Sequence, residues 1–270
     1  MHFFRTSVIL VFLFLLTVNL KADERPFPYT YTTDVLKKNM RDFELHNNFR
    51  VGRENFFSRI DTRFEYEVGV TDKLQTAFYV NFKNETKENS LLNTYDTEFE
   101  FEGISSEWIY QVSNKYTNFM GFAPYVELTL NTREVELETK LLFDKKLGRD
   151  FTLALNLNAE YEWGFNPLPE KTEKELALEV FLGGSYQASK NFSFGFEAAN
   201  LNYLPDGKGL ESSALFLGPN ICYRADNWFV TATWLHQLPA LKKSENMPDS
   251  NLILDEHERN NFKVLVSFAL

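Results

Sequence analysis

Apolar and polar residues alternate with a period of two along most of this chain. In residues 58–70, Ile60, Thr62, Phe64, Tyr66 and Val68 fall on one face, and Arg59, Asp61, Arg63, Glu65 and Glu67 on the other. The stretch 74–83 repeats the pattern, and 151–163 sets Leu153, Leu155 and Leu157 against Asn156, Asn158, Glu160 and Glu162. A helix would scatter these residues around its axis, whereas a strand sorts them onto two faces. The alternation predicts twelve strands, at 41–52, 56–70, 74–84, 96–112, 119–131, 134–144, 150–163, 174–188, 191–202, 211–224, 227–237 and 259–270. No stretch keeps a helical period, and no linker or repeat divides the series.

The links between strands carry a second pattern. With the amino terminus in the periplasm, the periplasmic links 71–73, 113–118, 145–149, 189–190 and 225–226 are all short. On the other side, four of the six links, 85–95, 164–173, 203–210 and 238–258, are long, and 53–55 and 132–133 are short. Tyr66, Trp108, Tyr110, Tyr186, Tyr223 and Trp228 gather near one set of strand ends, and Tyr161, Trp163 and Trp234 near the other. Short turns on one rim, long loops on the other and aromatic girdles between them characterise outer-membrane barrels. The expected fold is all-β: a transmembrane antiparallel barrel of about twelve strands with up-and-down topology. Two features strain it. The outward phase slips between Phe101 and Trp108, which calls for a β-bulge near 103–106, and Pro124 and Pro219 fall inside strands.

The first 22 residues read differently. Arg5 precedes an apolar run at 8–16, and Ala22 closes the segment ahead of Asp23 and Glu24. A basic start, a short apolar core and a small final residue make a signal peptide over 1–22, leaving 23–270 as the barrel domain. Without 1–22, which holds two bases and no acid, 26 basic residues face 38 acidic ones, a net charge of −12. So acidic a chain is a poor ligand for nucleic acid, which needs a clustered basic face. The expected surroundings are instead the lipid bilayer, lipopolysaccharide and the outer-membrane barrel assembly machinery, with small solutes as candidate cargo.

Candidate chemistry is sparse. The single Cys222 allows no internal disulfide, and no metal-ligand spacing or cofactor motif occurs. None of His46, His236 or His257 precedes a Ser by two positions, as a lipid-acting Ser–His arrangement would need. Asp255, Glu256 and His257 place an acid–imidazole couple in the last long loop, but no Asp-x-Asp pair accompanies it. The chain is therefore not expected to be an enzyme. The inward face says more. Glu65, Glu67, Glu100, Glu127, Glu136, Glu138, Glu160 and Glu162, with Arg59 and Arg63, are the candidate lumen-lining residues. Counting Glu98, Glu102, Glu179 and Glu197 with them, twelve inward acids face five inward bases. Rings of Glu favour cations in a pore, so the pattern points to a narrow passive channel for small solutes with cation preference. A closed structural or adhesive barrel with partner-binding loops is the alternative, and a rim-sited hydrolase a third reading.

The last strand places Phe262, Val264, Val266, Phe268 and Leu270 on one face, like the carboxyl-terminal insertion signal of outer-membrane barrels, which ordinarily ends in an aromatic residue rather than Leu270. With the stretches 64–74 (FEYEVGVTDKL), 216–223 (FLGPNICY), 228–235 and 257–259, the chain resembles a group of uncharacterised proteobacterial outer-membrane proteins with porin-like or transporter-like barrels. The resemblance covers nearly the whole chain after the leader. It implies architecture and an outer-membrane location, with no particular solute and no catalytic residue.

Overall fold

A computed structural model describes residues 25–89, 92–164, 174–205 and 209–270. The expected signal peptide lies outside these residues. Twelve strands, β1 (Arg41–Val51), β2 (Phe57–Gly69), β3 (Leu74–Asn89), β4 (Thr94–Tyr110), β5 (Gly121–Leu130), β6 (Glu134–Leu147), β7 (Phe151–Gly164), β8 (Lys174–Gln187), β9 (Phe192–Pro205), β10 (Ser212–Arg224), β11 (Trp228–Lys242) and β12 (Asn260–Ala269), pair with their neighbours in chain order. Every pairing is antiparallel, and β1 meets β12 to close the barrel. The described residues contain no α-helix.

The faces follow the alternation. Phe64, Val80, Leu128 and Val180 lie on the outside and are exposed, while Glu67, Asn156 and Glu138 point inward and are buried. Apolar side chains bared around a closed sheet belong against lipid, not water. Tyr66, Trp108, Tyr110, Tyr186 and Tyr223 form an exposed ring toward the rim of short turns.

The phase slip in β4 is a bulge. Asn81 pairs with Gly103 and Phe82 with Phe101, so Glu102 is the extra residue. Gly103 has φ +114°, and a Cβ there would stand 2.4 Å from the Leu130 carbonyl oxygen, so the position requires glycine. Pro124 falls where the β4–β5 ladder loses one residue of register, between Ile109↔Tyr125 and Ser113↔Phe122. At Pro219 the β10–β11 ladder opens between Leu217↔His236 and Asn220↔Thr233 while the β9 side stays paired. Each proline thus spends its missing donor at a gap in one ladder.

Three expectations about the loop rim are corrected. The link foreseen at 85–95 is mostly strand, because β3 and β4 pair as far as Asn89↔Thr94. β5 leaves β4 at Ile104↔Leu130, so this hairpin stands beyond the barrel wall as a two-stranded ribbon. The last loop begins only after Lys242, since β11 runs five residues past the foreseen end at 237.

Residues 25–36 lie inside the barrel at the turn rim, and the exposed Lys37, Lys38 and Asn39 turn at the rim to lead into β1. Phe27, Thr30, Thr33 and Leu36 are fully or nearly fully buried. The segment has no regular structure, so its backbone groups are satisfied by the wall. Glu197 of β9 accepts from the Thr30 and Tyr29 amides at 2.6 and 3.1 Å. Asp144 of β6 accepts from the Thr33 amide at 2.9 Å, and Gln75 of β3 from the Leu36 amide at 2.7 Å. Asn220 of β10 and Thr231 of β11 donate to the Pro26 carbonyl at 2.7 and 3.0 Å. The result is an inner belt running around the lumen before the chain enters β1.

Candidate functional site in the barrel lumen

The belt divides the lumen. Toward the turn rim the gap between Pro26, Lys115 and the adjoining wall narrows to about 10 Å³, below which a wide, open depression of about 710 Å³ lined by Lys146, Arg149 and Arg224 faces outward. Toward the loop rim lie two adjoining cavities of about 310 and 610 Å³, which share Tyr29, Asn48, Arg59, Glu179 and Phe181. Together they form a vestibule with Tyr29 and Tyr31 at its floor.

Its charges are unevenly spread: acids crowd the wall of β6–β8, where Lys140 of β6 pairs with Glu138 at 2.9 Å. Glu136 and Glu138 of β6 stand directly opposite Glu162 and Glu160 of β7, and Glu179 of β8 continues the wall. Carboxylate oxygens of Glu136, Glu160 and Glu162 lie within 4.8 Å of one another. Like charges facing each other across strands are destabilising, so packing does not explain this arrangement. The opposing wall carries Arg59 and Arg63 of β2 and Lys263 of β12. Arg59 pairs with Asp61 at 2.5 Å, and Arg63 reaches Glu127 at 3.3 Å while lying over the Tyr79 ring. Lys263 has its ammonium 4.8 Å from the centre of the Tyr29 ring, with no ion-pair partner among the described residues.

The foreseen lining residues therefore divide into three groups. Arg59, Arg63, Glu136, Glu138, Glu160 and Glu162 line the vestibule. Glu65, Glu67 and Glu127 are inward but buried: the first two lie beside Arg25 of the belt, and Glu127 is held by Arg63 and the Tyr125 hydroxyl. Glu100 is a correction. It stands on the projecting ribbon, paired with Lys83 at 2.7 Å and Arg133 at 3.0 Å, because β4 has left the wall before reaching it.

Several residues of the site escaped the sequence reading. Lys263 and His46 occupy the inward phase of β12 and β1 and were legible there. Arg25, Tyr29 and Tyr31 carry no periodic signal, because their place is fixed by the wall. Lys115, in the β4–β5 turn, is buried between Asp34 and Asp144. Burial pulls its ammonium down, but those two carboxylates outweigh this and hold it above the usual range.

The last loop, 243–259, folds back into the loop end of the barrel. Ile253 packs against Ala199, Ala214, Phe216 and Leu235. Glu258 accepts from Arg50 at 2.8 Å and from Arg53 at 2.7 Å. Burial raises the Glu258 carboxyl, but the two guanidiniums outweigh it and hold it below the ordinary carboxylate range. Burial, aided by Arg50, pushes the His257 imidazole down to about 4.

No curated protein shows a significant similarity to the chain. Among solved structures, the NanC porin is 11% identical over 84% of this chain and 100% of its own, with a TM-score of 0.55. The translocator domain of the autotransporter NalP from Neisseria meningitidis is 10% identical over 87% of this chain and 90% of its own, with a TM-score of 0.50. At such identities the likeness is one of fold, that of porin-like outer-membrane barrels. Residues 19–270 match a protein family of unknown function, DUF6662, and the chain belongs to that family.

Proposed function

We propose that this protein is an outer-membrane channel for small polar solutes, with a preference for cations. In this reading the loop rim faces the medium, the vestibule admits solute, and the inner belt is the floor that must shift for passage. The observation that carries it is the wall of facing carboxylates, Glu136 with Glu162 and Glu138 with Glu160, in a space wide enough for water. Charges lining a passage with low-dielectric walls act with little screening and concentrate counter-ions.

The hydrolase reading loses its support. Asp255 accepts from Ser244 at 2.5 Å, Glu256 from Ser212 at 2.8 Å, and His257 stands edge-on to Phe216, so the three face separate partners. The closed structural barrel keeps one argument, the tight packing of the belt. Conductance in planar bilayers under a salt gradient decides between them. Cation-selective currents that grow when residues 25–36 are removed are expected. Anion selectivity, or silence of both forms, overturns the channel.

A further inference from the structure

Between the belt and the vestibule lies a cluster that neither the fold nor the proposed channel requires. Glu44 and His46 of β1, Glu65 and Glu67 of β2 and Glu107 of β4 are all nearly fully buried. His46 Nε2 stands 3.0 Å from Glu44 Oε2 on one side and 3.0 Å from Glu65 Oε2 on the other. A ring nitrogen carries at most one proton, so it can serve only one of these oxygens. Glu65 is fully buried, and apart from the His46 ring nitrogen that it shares with Glu44, neither of its oxygens nor either oxygen of Glu107 meets a hydrogen-bond donor among the described residues. Arg25 is the guanidinium that pairs with the cluster, at 3.0 Å from Glu44 and 3.9 Å from Glu67, while Arg63, opposite His46, is engaged by Glu127 at 3.3 Å. Four buried carboxylates with one directly paired guanidinium would be strongly destabilising unless something else neutralises them.

We propose that Glu44, His46 and Glu65 form a binding site for one divalent transition-metal cation. The three ligand atoms lie within 4.8 Å of one another. Ligands held about 2.1 Å from a metal and at right angles around it stand roughly 3 Å apart, the spacing found on both sides of His46 Nε2. A mixed imidazole and carboxylate set selects manganese, iron, cobalt, nickel or zinc over calcium and magnesium, which prefer oxygen alone. Glu67 and Glu107 supply the surrounding negative charge, since oxygens of Glu65, Glu67 and Glu107 also gather within 4.8 Å. Arg25, on the Glu44 oxygen, orients one ligand from the belt. Access comes from the vestibule, which His46 lines. The site holds its ion whether or not the barrel conducts.

The test uses the chain folded in detergent micelles, stripped with a chelator and titrated with Mn²⁺. Loss of the free-ion electron paramagnetic resonance signal counts bound ions, and electron spin-echo modulation detects a coordinated imidazole nitrogen. One tightly held Mn²⁺ per chain with nitrogen modulation is expected. His46→Ala should abolish that modulation and weaken tight binding by at least about tenfold, and His46→Asn serves if the alanine variant fails to fold. Glu98→Gln, on the exposed ribbon, should change neither. Absence of a tight ion overturns the site and leaves protons to neutralise the carboxylates. Tight binding without nitrogen modulation, or binding unchanged in a folded His46 variant, moves the ion to the vestibule wall and overturns it equally.

Discussion

The Tyr31 amide donates to Asn156 Oδ1 at 2.7 Å, and Asn156 Nδ2 donates back to the Tyr31 carbonyl at 2.9 Å. One side chain of β7 thereby satisfies both backbone groups of one belt residue, as a neighbouring strand would. Asn156→Leu removes both bonds and leaves two buried polar groups unpaired, a penalty of about 1–3 kcal/mol per group. The belt should undock more often while the barrel stays closed. Single-channel conductance should rise above that of the wild type, and an unchanged conductance would show that the belt is not the floor.

The lipid-facing assignment is tested in the middle of β8. Val180→Arg places a charge against hydrocarbon and should cost about 2–4 kcal/mol, whereas Glu162→Arg, in the vestibule facing Glu136, should leave stability close to wild type. Equilibrium unfolding from lipid vesicles measures both. Equal losses at the two positions would contradict the facing of these strands.

The acidic wall should set ion preference. Replacing Glu136, Glu160 and Glu162 together by Gln keeps the shape of the vestibule and removes three carboxylates. The reversal potential under a salt gradient should shift toward zero. A shift in the opposite direction would assign selectivity to other groups.

Acid should release the last loop. The folded His257 titrates near 4, below the ordinary histidine value of about 6.5, so undocked loop gains a proton first as pH falls through that window. Docking free energy is therefore full above about 6.5 and declines toward 4. Glu258, held low by Arg50 and Arg53, contributes docking that is present above about 4.3 and lost on further acidification. Proteolysis within 243–259 should be slow at neutral pH and fast under acid. His257→Phe should remove the first part of the change, and loop cleavage independent of pH would refute the coupling.

The strands were legible because each wall residue answers to two solvents, lipid outside and a polar lumen inside, which imprints a period of two. The bulge at Gly103 was legible as a slip in that period. The belt was not. Residues 25–36 are held by their backbone amides and carbonyls against Glu197, Asn156, Asp144 and Gln75, and backbone groups leave no mark on residue choice. For the same reason the inward charge tally missed its balance: Glu197 is consumed by belt amides and Thr233, and Arg25 answers Glu44. The docked loop was hidden likewise, since Ile253 and Glu258 find their partners only once the barrel exists.

The belt also acts mechanically. A twelve-strand cylinder fixes its circumference through strand count and stagger, but that alone leaves it free to flatten. A single peptide bonded to β3, β6, β7, β9, β10 and β11 is an internal hoop that ties opposite walls at fixed separation. The same twelve residues, 25–36, that floor the vestibule thus also keep the barrel round, and a barrel deprived of them would have an elliptical bore whose width fluctuates with the bilayer around it.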